Sequence, residues 1–148
     1  MRNSVQVTHE VDEEIRFAVE LLARICMERG DRKRLSAVFA LLPVDSLERK
    51  IEAVGKLLEL TESLIRVLRS EQMEVLYPFE NLKIASRTFG MLFLEGYFDW
   101  RAVSDDPYEI LGRIETMLEK LESARASLMK ASERLRTEVA HGVERSQE

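Results

Sequence analysis

Apolar residues return between Pro107 and about Val139 at alternating steps of four and three: Ile110, Ile114, Met117, Leu121, Ala124, Leu128, Ala131 and Leu135. Only an α-helix places such a series on one face, and at ~1.5 Å per residue this helix is roughly 50 Å long. A helix of that length packs against several partners, or it overhangs its own bundle and meets another chain. If it overhangs, the seam from Leu128 to Leu135 needs a second subunit to cover it.

The same spacing recurs upstream. Val11, Ile15, Ala18, Leu22 and Ile25, with Val19 and Cys26 beside them, mark a first helix capped by Thr8 and closed by Arg29 and Gly30. Asp31 starts a short second helix carrying Leu35, Val38, Phe39 and Leu42, which Pro43 ends. Asp45 with Glu48 three residues on is a capping-box start for a third helix. Its seam runs Leu47, Ile51, Val54, Leu58, Thr61, Ile65 and Leu68, widened by Leu57 and Leu64. The pattern breaks near Ser70, and residues 71–77 read equally as a helical turn or a loop. Pro78 suits the first turn of a fourth helix, with Phe79, Leu82, Ala85, Phe89, Leu92 and Phe93 inward and Gly96 at its end. Ser104, Asp105 and Asp106 before Pro107 start the long last helix, which Gly142 stops.

These elements predict an all-α protein: a single-domain antiparallel bundle of five helices over residues 1–148, with 1–7 and 143–148 as flexible tails. Ile51, Leu58, Ile65, Phe89, Leu121 and Leu128 are expected to be almost fully buried.

Composition adds limits. The single cysteine, Cys26, falls on the apolar side of the first helix and reads as a small core residue. The chain opens without a charged-then-apolar leader, and no apolar run approaches a membrane span, so a cytoplasmic protein is expected. A net charge of −5 with both signs mixed argues against a dedicated duplex-DNA binder. Few Asn and Gln beside 33% charged residues fit a thermophile.

Chemistry is sparse. Arg29, Arg32, Lys33 and Arg34 crowd the first helix junction as a candidate nucleic-acid contact, since clustered cations bind polyanions; a solvated corner is the plainer reading. Eight of the ten aromatics lie between Tyr77 and Tyr108. Among them Tyr97, Phe98 and Trp100 form a candidate partner-binding patch or a connector folded over the bundle end. Glu138-Val-Ala-His141 has the Glu-x-x-His spacing of di-iron bundles, but His9, the only other histidine, has Gln6 at the matching position. No metal and no cofactor is expected.

Arg136-Thr-Glu-Val-Ala-His141-Gly142 remains. Arg, four residues, then His in the last part of an all-helical chain resembles the HEPN family of helical-bundle proteins, many of them metal-independent ribonucleases; Thr137 stands where that family commonly has Asn. The resemblance implies His141 as general acid or base on RNA, Arg136 as stabiliser of phosphoryl charge, and a site formed across a homodimer. Neutral-range titration suits His for such work, and Arg is the natural phosphate partner. The residues themselves favour a non-enzymatic helical interaction subunit, acting as a homodimer or within a larger complex. The HEPN-like ribonuclease, or an inactive relative, is the alternative, and a helical subunit of a nucleoprotein complex a third. The expected partner is protein, a second copy first, with RNA as the other candidate.

Overall fold

A computed structural model describes residues 4–42, 45–80 and 107–147. Within them the chain forms four α-helices and no strand: α1 (Ser4–Arg29), α2 (Arg32–Ala40), α3 (Leu47–Glu80) and α4 (Pro107–Gln147). It divides into two compact units. The first comprises residues up to Ser63 and from Lys120 onward, the second Leu64–Glu119, and α3 and α4 contribute to both.

The all-α class holds, and several boundaries differ. α1 begins at Ser4, ahead of Thr8. α3 runs through Ser70 without a break and carries Pro78 inside its last turn. The apparent break was an apolar gap at Gln72, since Val75 lies seven residues after Leu68 and is buried like it. The fourth expected helix, Phe89 included, falls on residues 81–106 and so outside the described residues, apart from its first turn, which belongs to α3. α4 continues past Gly142 to Gln147. A glycine stops a helix by taking a left-handed conformation. Gly30 does so, with φ 69°, and it is the only described residue with positive φ.

The α1–α2 corner follows from that glycine. Asp31 N–H donates to the Cys26 carbonyl (2.8 Å) and Gly30 N–H to Met27 (3.2 Å), a Schellman closure of α1. Asp31 then caps α2, accepting from Arg34 N–H at 3.1 Å and from its guanidinium at 2.7 Å. At α3 the cap is Ser46, one residue later than expected; its hydroxyl accepts from Arg49 N–H at 3.2 Å.

In the first unit α1, α3 and α4 share one core. Val11, Ile15, Ala18, Leu22, Ile25 and Cys26 of α1 are buried, as the spacing predicts, with Leu121, Ala124, Leu128, Ala131 and Leu135 of α4. Polar pins fix the directions. Lys50 of α3 meets Asp12 of α1 at 3.0 Å, and Arg34 donates to Ser63 at 2.8 Å, so α1 and α3 run parallel with α2 as the return. Ser127 donates to the Glu14 carbonyl at 2.9 Å, and Arg125 meets Glu62 at 3.4 Å, so α4 is antiparallel to both. In the second unit Leu64, Ile65, Leu68 and Val75 are buried, as are Ile110, Ile114 and Met117.

Three expectations of burial need correction. Leu128 and Leu135 are covered within the single chain, so the seam needs no second subunit there. Ile51 is 44% exposed and Leu58 half-buried, and Lys50 and Ala53 lie inward beside Val54, Leu57, Thr61, Leu64, Ile65 and Leu68, which are buried as the spacing predicts. The core line of α3 is centred on the Leu57–Leu64 edge of the predicted seam, with Ile51 and Leu58 at its outer margin. Thr61 satisfies its buried hydroxyl on the Leu57 carbonyl at 2.7 Å, and Lys50 extends its ammonium to Asp12, so both polar residues sit on the inner face without an unpaired group. In α2 only Val38 is buried; Phe39 is 52% exposed.

Candidate functional site

Ile51 and Leu58, at the outer margin of the α3 seam, leave an apolar edge beside α4. Ile51, Val54, Gly55 and Leu58 form one wall of a groove of about 410 Å³, and Ser132, Leu135, Arg136 and Val139 form the other. Val54 and Leu135 make the floor, being buried. Leu47, Ile51 and Val139 remain 42%, 44% and 39% exposed, and Met129 stands open one turn beyond Ser132. Isolated exposed apolar residues are ordinary; here several lie on the two helices that wall one groove.

Gly55 sits at the groove's centre. A glycine inside a helix costs roughly 1 kcal/mol against alanine. Nothing lies within 4 Å of where a Cβ would stand, so packing inside the chain does not require the missing side chain.

The rim is charged. Glu48, Glu52 and Glu59 lie on the α3 side with Lys56, which pairs with Glu52 at 2.8 Å. Arg136 lies on the α4 side, its side chain 77% exposed and only 3.8 Å from Glu133. A smaller recess beside Thr8 and Glu138 is lined by Lys50, but that ammonium is already committed to Asp12.

Arg136 and His141, the expected catalytic pair, are both exposed on α4. The helix is continuous through them, so a five-residue spacing puts them about 140° apart, on different faces. Arg136 reaches the groove wall and His141 does not. One chain therefore does not bring the two together; a shared site requires a second subunit.

The basic corner is partly structural. Arg34 is spent on Asp31 and Ser63, and Arg29 is half-buried, leaving Arg32 and Lys33 as its exposed cations. Burial acts against the Asp31 carboxylate, but the Arg34 hydrogen bonds and the charges of Arg34 and Arg29 outweigh it and hold the group below its ordinary range. Stability from this cap is complete above the unfolded carboxylate range and is lost as pH falls through the lower folded value. Asp31→Ala should cost about 1 kcal/mol at neutral pH, and urea titration in strongly acidic buffer should find the difference from wild type shrinking. Burial raises the Cys26 thiol above its usual range, which keeps it protonated and inert.

Tyr97, Phe98 and Trp100 lie outside the described residues. Among the described residues no three His, Cys, Asp or Glu side chains gather to hold a metal ion, and no helix is long and apolar enough to cross a membrane. No protein-family model, curated protein or solved structure matches this chain.

Proposed function

We propose that this protein is a non-enzymatic helical interaction subunit whose α3–α4 groove receives a helix from a protein partner. One observation carries the reading: a continuous apolar groove with an open glycine at its centre, bordered by charges that do not close over it. Amphipathic helices seat in such grooves through residues spaced by three and four. Separation of Arg136 and His141 on α4 weighs against chemistry carried by one chain.

The test replaces Ile51 with a photo-crosslinking residue in the full chain, expressed in cells. Protein adducts at this position are expected, and a comparable substitution at exposed Met73 should yield far fewer. Metal-free incubation of the purified protein with single-stranded RNA should leave the RNA intact. Absence of adducts at Ile51, or RNA cleavage that His141→Ala abolishes without unfolding the protein, would overturn the proposal.

A further inference from the structure

We infer that the occupant of the groove is a second copy of this chain, turned by a two-fold axis parallel to α3 and α4. This rests on the interaction reading above and names the partner.

Charge supports the choice. Gly55 and Arg136 line the same groove, whose α3 wall runs only from Ile51 to Leu58, so they lie within about one helical turn of a common level. A half-turn about an axis parallel to the helices keeps that level and places α4 of one copy opposite α3 of the other. Arg136 of each copy then comes over Gly55 of its neighbour, between Glu52 and Glu59, which lie about one turn to either side. The contact occurs twice, once in each direction, as two-fold symmetry demands. Arg136 has only a long, exposed pairing with Glu133 to give up. The apolar rows of Ile51, Leu58 and Val139 meet their own kind inside this frame, and the four helices close as an antiparallel bundle. Gly55 acquires a role in the same step. It lets the facing helix, or the guanidinium of Arg136, approach the α3 backbone closely, where a side chain would hold it off.

Area sets the strength. The face from Leu47 to Glu62 is about 24 Å long and two helices wide, roughly 500 Å² per copy. Doubled, this meets the lower bound for a specific interface, so a weak, concentration-dependent dimer is expected.

Sedimentation equilibrium of the full chain from micromolar to millimolar concentration is the experiment. Wild type should pass from monomer to dimer. Gly55→Arg, whose Cβ meets no atom of its own chain and which favours the helix, should raise the dissociation constant at least about tenfold while circular dichroism shows the fold intact. Gly112→Arg is the matched control: that helical glycine is also open but lies in the other unit, and its dimer should be unchanged. Arg136→Glu should weaken the dimer, and adding Glu52→Arg to it should restore much of the loss. A dimer that survives Gly55→Arg, or a wild type that stays monomeric throughout, overturns the inference. The crosslinks at Ile51 separate the two levels. Adducts to a different protein remove the second copy and leave the interaction reading standing. No adducts beside a monomeric chain, as when the groove is filled from within the same molecule, remove both.

Discussion

Replacing Leu128 with alanine should lower the free energy of unfolding by about 2–5 kcal/mol, and Leu121→Ala should do the same. Both side chains are wholly buried, so the truncation removes transfer energy and leaves a cavity that rigid helices close only in part. Met129, the next residue on the same helix, is well exposed, and Met129→Ala should fall within about 0.5 kcal/mol of wild type. Urea titrations with a common slope would read these differences directly from the midpoints. The comparison also tests where the seam finds its cover. Leu128 is buried within one chain, so its cost should not vary with protein concentration; a residue covered by a second subunit would show a concentration-dependent midpoint. A loss below about 1 kcal/mol for both leucines, beside the values expected for buried leucine, would sink the assigned phase of α4.

How far the sequence revealed this protein depended on how local each signal was. The α1 seam, the Gly30–Asp31 corner and the α4 seam are each written within a few residues, in apolar spacing or in one residue with special backbone freedom, and all three are observed. The phase of α3 was legible only in part. Leu57 and Leu58, like Leu64 and Ile65, offer two adjacent apolar lines, and Lys50 disguises the true one as polar. Only the neighbour Asp12 makes that lysine tolerable inside, and Asp12 lies far away in sequence. Gly142 misled because a glycine permits a left-handed stop without compelling one. As for the groove, its one sequence signal was Gly55 between Ile51 and Leu58, an interior helical glycine with apolar residues four before and three after it. The Arg125–Glu62 pair beyond the groove's end joins residues 63 apart and left no trace in the local pattern.

Arg134→Met should destabilise the protein by about 1–3 kcal/mol, the range for removing one partner of a part-buried charged network. Arg134 sits on α4 with its guanidinium between two carboxylates of α1: Nε donates to Glu14 Oε1 at 2.8 Å, and Nη1 donates to Glu10 Oε2. All three side chains are mostly buried, so water screens the charges less than it does for Arg136 and Glu133 on the exposed face. Methionine keeps much of the apolar stem, which isolates the charge from the packing. What remains is two carboxylates four residues apart on one helix, an unfavourable pair that Arg134 no longer bridges. Part of the loss should therefore come from the repulsion between the two acids. Adding Glu10→Gln and Glu14→Gln to Arg134→Met should recover part of the stability, so that the triple variant unfolds at higher urea than Arg134→Met alone. Simple additivity, with each glutamine lowering the midpoint further, would show that the three groups act independently.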